Sequence, residues 1–79
     1  MTSQPAYPGY ATPTFTRRKL TGDWLVRVAP GALAVGRVFQ SGPAGWLAQT
    51  PAGMYVGLFP TQQVAGEALV RHAGYEVLG

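Results

Sequence analysis

Any chemistry in this chain would have to come from a short inventory: one histidine, His72, and three carboxylates, Asp23, Glu67 and Glu76. The carboxylates are spread along the sequence, so no acid–base pair is evident. His72 falls near the end of a predicted helix, where a protonated ring suits the helix dipole. A surface or capping role is the expectation for it, ahead of catalysis. Ser3 and Ser41 have no base beside them and sit in proline- or glycine-rich stretches. With no cysteine there is neither a disulfide framework nor a thiolate site. Four scattered candidates do not make a protein-built metal site. Gly42 and Gly45 resemble a phosphate loop only superficially, because no Lys-Ser or Lys-Thr follows and no helix is predicted to begin there. The expectation is a non-enzyme with no cofactor and no small-molecule substrate.

The elements that could position a binding surface come next. At 79 residues the chain has room for one domain, and a domain of this size is only marginally stable alone. Charged residues make up 11% of it, against about 25% in a typical soluble domain. Hydrophobic residues stand at an ordinary 47%. Sparse charge with ordinary apolar content points to apolar surface covered by another molecule; the plainer alternative is a neutral, poorly soluble surface. The pI near 9.8 invites a nucleic-acid reading. The excess charge, however, lies in Arg17-Arg18-Lys19. From Leu20 onward Arg27, Arg37 and Arg71 balance Asp23, Glu67 and Glu76. Phosphate affinity scales with the number of Lys and Arg contacts, and the balanced portion has few to give. No apolar run approaches the roughly 18 residues of a membrane span. The polar, proline-rich N-terminus does not read as a signal peptide. The expected location is the cytoplasm, or wherever a partner takes the chain.

Residues 1–19 read as a flexible, proline-rich arm ending in the basic cluster, and residues 20–79 as a single small domain. Pro5, Pro8 and Pro13 set the character of the arm. Tyr7, Tyr10 and Phe15 are spaced along it as aromatic anchors that could lie on a partner and order on binding. Four strands are predicted by period-two alternation: Asp23–Ala29, Leu33–Gln40, Trp46–Thr50 and Met54–Phe59. Short turns at Pro30-Gly31, Ser41–Gly45 and Pro51–Gly53 make neighbours antiparallel, hence a meander. Pro60-Thr61 starts a helix, with Thr61 as its cap. Val64, Ala65, Ala68, Leu69 and Ala73 share its inward face. Glu67 and Arg71 are spaced to pair on the other side. Gly74 ends it, and Gly66 marks either a close approach or a tolerated flaw. Tyr75–Leu78 is extended, as an edge strand or a second arm.

Trp24 and Trp46 could stack on bases, but core or cross-strand packing is the simpler expectation. Arg27 and Arg37 come from adjacent strands and mark the open sheet face, which Gln40, Gln49 and Tyr55 could share depending on register. A face of Arg, Gln and aromatics can bind a protein or read a DNA groove. The partner-binding candidates are therefore Tyr7, Tyr10, Phe15, Arg27, Arg37, Gln49 and Tyr55. The nucleic-acid alternative uses Arg17, Arg18, Lys19, Arg27 and Arg37.

From Trp46 to Leu69 the chain shows Trp-x-Ala, then Val-Gly-x-Phe-x-Thr, then Ala-x-x-Ala-Leu. This pattern resembles the three-strand-plus-helix domains that bind arm sites in tyrosine integrases, and the related plant ethylene-response-factor DNA-binding domains. It also resembles small uncharacterised proteins of actinobacteria and their phages. The resemblance covers about 25 residues and consists mostly of core and capping positions. It implies a DNA-reading sheet, a role that by position would fall on Arg27, Arg37, Gln49 and Tyr55. The chain departs from the pattern in having no basic residue on its third and fourth strands. The expected fold is α+β: an antiparallel meander of three to four short strands packed against one C-terminal helix, behind a flexible arm. The expected function is that of a non-catalytic binding protein, phage or actinobacterial, contacting another protein or a copy of itself. DNA binding is the alternative.

Overall fold

In the computed structural model, residues 10–28, 32–43 and 45–77 are described. Five strands make one antiparallel sheet: β2 (Thr14–Arg17), β3 (Trp24–Arg27), β4 (Ala34–Gln40), β5 (Trp46–Gln49) and β6 (Tyr55–Phe59). Each strand pairs with the next in sequence, so the sheet is a meander. Helix α1 (Gln62–His72) follows β6 and lies across one face. A separate parallel pair joins β1 (Tyr10–Ala11) to β7 (Glu76–Val77), beside the helix. The expected α+β class holds, with a C-terminal helix on an antiparallel sheet. The strand number is corrected from three or four to five.

The added strand is Thr14–Arg17, a segment the sequence assigns to the arm. It is drawn in by Phe15, which stands opposite Val26 and turns its ring onto α1. A Cβ built on Gly66 would lie 2.7 Å from Phe15 Cε1 and 3.2 Å from Pro13 Cβ. The glycine thus marks a close approach, and what approaches is the edge strand. This contact also sets the helix rotation. Ala65, Gly66, Leu69 and Val70 face inward, whereas Val64 and Ala73 are exposed. The inward face is therefore shifted from the expected one so that Gly66 meets Phe15.

The core joins Val26, Val38 and Ala48 of the sheet to Ala65, Leu69 and Val70 of the helix. Full burial of a Val or Leu side chain contributes about 1.5–3 kcal/mol. Trp24, Trp46, Phe15 and Phe59 pack around this centre half-buried, so both tryptophans serve packing as expected. Two β-bulges adjust the sheet. Val26 pairs with Gly36 but Arg27 with Ala34, which leaves Val35 as the extra residue. Ala48 pairs with Gly57 but Gln49 with Tyr55, which leaves Val56. Both extra valines pack on the core, as expected where an additional residue bends a strand. Beside the first bulge, Gly36 has φ +153° and lies under Leu69, with no room for a Cβ.

The helix ends follow the sequence. Thr61 Oγ1 accepts from the Val64 N–H at 3.1 Å, a cap contributing about 1 kcal/mol. At the other end Gly74, at φ +101°, donates its N–H to Arg71 O, and the Tyr75 N–H reaches Val70 O. This is the paired closure of a Schellman turn. Glu67 accepts from Gln63 at 3.0 Å in place of the expected Arg71 partner.

Candidate functional site

Cross-strand partners share a face, so the register sorts the sheet into two surfaces. Phe15, Trp24, Val26, Gly36, Val38, Gln40, Trp46, Ala48 and Phe59 lie on the helix side. Gln40 is thus excluded from the open face, because it pairs with Trp46. The opposite face is covered by no element among the described residues. Thr16, Leu25, Arg37, Gln49 and Tyr55 form one row across all five strands. Phe39, Leu47 and Leu58 form a second, wholly apolar row beside it. Thr14, Arg27 and Ala34 form a third. Of the expected site residues, the structure brings Arg27, Arg37, Gln49 and Tyr55 onto this one face.

The polar members of the face hold one another. Asp23, immediately before β3, is 1% exposed. Arg18 binds it through Nε at 2.7 Å and through Nη2, and Arg37 Nη1 reaches it at 2.8 Å. The Thr21 hydroxyl donates to it at 2.5 Å. The Arg18 hydrogen bonds are the main reason its carboxyl is held well below the usual carboxylate range. The Thr21 and Arg37 hydrogen bonds add to this, against the opposing effect of burial. Arg37 is fixed again by Nε donating to Gln49 Oε1 at 2.5 Å, and its guanidinium lies 5.0 Å from the centre of the Phe39 ring. Gln49 in turn donates to Gly53 O at 3.0 Å. Arg27 donates to Ala32 O at 3.0 Å and to Thr16 Oγ1 at 3.3 Å. These side chains are held in place before any ligand arrives, which lowers the ordering cost of a contact.

Around this network the surface is greasy. Leu58 is 62% exposed and Tyr55 61%, while Leu25, Phe39 and Leu47 are half-buried. A shallow cleft of about 280 Å³ opens in the face, lined by Arg18, Leu25, Arg37, Gln49, Thr50 and Pro51. A second, more apolar hollow of about 490 Å³ lies at the C-terminal end of α1, where Val35, Pro51, Ala52, Met54 and His72 meet.

The remaining candidates do not join this surface. Phe15, expected as an anchor for a partner, is committed to α1 inside the molecule. The backbone of Tyr10 pairs with Glu76. Tyr7 lies outside the described residues. The run Arg17-Arg18-Lys19 is divided: Arg17 stands 5.9 Å from the Trp24 ring on the helix side, Arg18 turns to Asp23, and Lys19 is exposed in the connecting turn. Sequence reasoning missed Asp23 as the centre of the network, and the apolar row. The row was readable in principle, since Phe39 is two residues from Arg37 and Leu47 two from Gln49, so both pairs share a face.

Among the described residues no group of three or more His, Asp or Glu side chains could hold a metal. No helix there is long and apolar enough to cross a membrane. No protein-family model matches the chain, and no significant match to it is found among curated proteins or among solved structures.

Proposed function

We propose that this chain is a small non-catalytic binding protein whose open sheet face contacts another protein chain. The observation that carries this reading is the apolar row Phe39–Leu47–Leu58, lying uncovered among the described residues beside a locked Arg18–Asp23–Arg37–Gln49 network. Protein interfaces combine these two features, an apolar and aromatic centre and polar groups that are already hydrogen-bonded. The non-catalytic part of the reading is supported by the dispersal of the titratable groups. Asp23 is occupied by two arginines, Glu67 lies on the helix, and Glu76 on β7. A role in a viral particle or against a host protein accords with the resemblance noted in the sequence.

A second reading has a specific observation behind it. Arg18, Arg27 and Arg37 share a face with a single carboxylate, Asp23, so that face is net positive. A duplex could lie against it. The two readings part in a salt titration of full-length protein against a fluorescent DNA duplex. The protein-partner reading expects no binding at low salt. Binding that falls steeply with salt, and is lost on replacing Lys19 and Arg27 by Gln, would establish the DNA reading instead. Arg18 is left in place in that test because it holds Asp23.

A further inference from the structure

Two guanidiniums on the open face share one carboxylate. Arg18 donates to Asp23 through Nε and Nη2, and Arg37 donates to the same group through Nη1. The cluster therefore keeps a surplus of one positive charge. Among the described residues neither Glu67 on α1 nor Glu76 on β7 pairs with either arginine. Each arginine also has a nitrogen still to use. Arg18 Nη1 and Arg37 Nη2 donate to no group among the described residues. The two side chains are 39% and 36% exposed, so these nitrogens are open to a ligand. Both arginines line the cleft of about 280 Å³, where Leu25, Ala34 and Pro51 supply apolar walls. The remaining guanidinium nitrogens are pinned, by Asp23 and, for Arg37, by Gln49 Oε1 as well.

We propose that this cleft takes an acidic side chain, an Asp or Glu of the protein that sits on the face. The proposal rests on the reading of the face as a protein contact, and it names the chemistry of that contact. One carboxylate cancels the surplus charge, and its two oxygens accept from guanidinium N–H groups in the geometry that Arg forks favour. The arginines are already fixed, so little side-chain freedom is lost when the acid enters. Apolar walls keep the local dielectric low and strengthen the attraction. A phosphodiester carries the same charge, but the surroundings favour the carboxylate. A nucleic-acid backbone repeats its charge at every nucleotide and is held by several cations at once. Here the next cation on the face, Arg27, is turned to Ala32 O and Thr16 Oγ1, and the neighbouring row is Phe39, Leu47 and Leu58. The segment that fits is acidic at one position, with apolar residues beside it for that row.

The test is an NMR titration of the full chain at neutral pH and fixed ionic strength. The probes are the peptide acetyl-Leu-Glu-Leu-amide, the same peptide with Gln for Glu, and dithymidine monophosphate as the phosphodiester. The expected result is a saturable shift of the Arg18 and Arg37 Nε–H signals with the Glu peptide, which binds about tenfold tighter than either other probe. Arg37→Lys keeps a cation for Asp23 but removes the fork, and should abolish most of that preference. Arg71→Gln removes one charge from the exposed side of α1 and should leave it unchanged. Should Arg37→Lys not fold, the order of the three probes on the unaltered chain decides. The proposal is overturned by no saturable shift with the Glu peptide, by equal affinity for the Gln peptide, or by tighter binding of the phosphodiester. It is also overturned if Arg71→Gln lowers the preference as much as Arg37→Lys does. Protein crosslinked at Leu47 together with equal affinity for the Glu and Gln peptides would sink this proposal and leave the reading of the face standing.

Discussion

Gly36→Ala is expected to destabilise the protein by about 3 kcal/mol or more, the largest effect of any single methyl group in this fold. Two costs coincide there. The backbone sits at φ +153°, and a Cβ would collide with the Gln49 carbonyl oxygen and stand 2.7 Å from Leu69 Cδ2. The carbonyl belongs to the β4–β5 pairing and cannot yield without opening the sheet. Leu69 is the largest fully buried side chain and cannot yield without moving the helix. A domain of this length has about 4–12 kcal/mol in total, so the loss is a sizeable fraction of it. Gly53→Ala separates the two costs. That glycine is also at positive φ, +94°, but has nothing within 4 Å of the added carbon. It should lose only about 1 kcal/mol, from backbone strain. Urea titrations followed by tryptophan fluorescence check both variants. Equal losses at positions 36 and 53 would contradict the close packing of α1 on the sheet.

The second large effect is at Asp23. Asp23→Asn should cost about 2 kcal/mol at neutral pH. That is less than for a fully enclosed pair, because the side chains of Arg18 and Arg37 remain 39% and 36% exposed and can turn to water. The cost also carries a pH signature. The carboxyl is held low in the folded state, so its contribution is complete above the ordinary aspartate value of about 4. It is lost as pH falls below that value toward the folded one. The wild-type protein should therefore lose up to about 1.4 kcal/mol per pH unit below pH 4 from this group, and the Asn variant should not. The gap between the two denaturation midpoints closes as the solution is acidified. The chain has only two other acidic side chains, so few groups overlie this titration. Midpoints that run parallel from pH 7 to pH 2.5 would mean that the arginines do not hold the Asp23 carboxyl below its ordinary range.

These effects centre on residues whose roles were unevenly legible. The helix could be read closely, because capping is local: Thr61 and Gly74 act within a few residues of themselves. The alternation of β3 to β6 was also readable, and it marked Arg27 and Arg37 on the open face; whether Gln40, Gln49 and Tyr55 joined them waited on the register, which admits the last two and excludes Gln40. The edge strand was hidden because Thr14–Arg17 offers a single apolar inward residue, Phe15, in a proline-rich context. Its evidence lay fifty residues away in the helix, at Gly66. The helix rotation was missed for the same reason, since a glycine counts for nothing in an apolar stripe until the ring that covers it is known. The bulges left a faint mark, a glycine directly after each extra valine, at Gly36 and Gly57. Asp23 could not be identified as a hub, because Arg37 comes from another strand and its approach depends on register. The pairing of Tyr10–Ala11 with Glu76–Val77 joins the two ends of the chain through two residues each, too short a run to carry a pattern.

The central claim is that the open face, with Leu47 at the middle of its apolar row, is where another protein sits. The most direct measurement is site-specific photo-crosslinking of the full chain in the cells that naturally make it, with the photoreactive residue at Leu47 and, as control, at Gln63 on the outer side of α1. A discrete protein adduct from position 47 and none from position 63 is the predicted result. Equal adducts from both positions, none from position 47, or nucleic acid in place of protein at position 47 would contradict it.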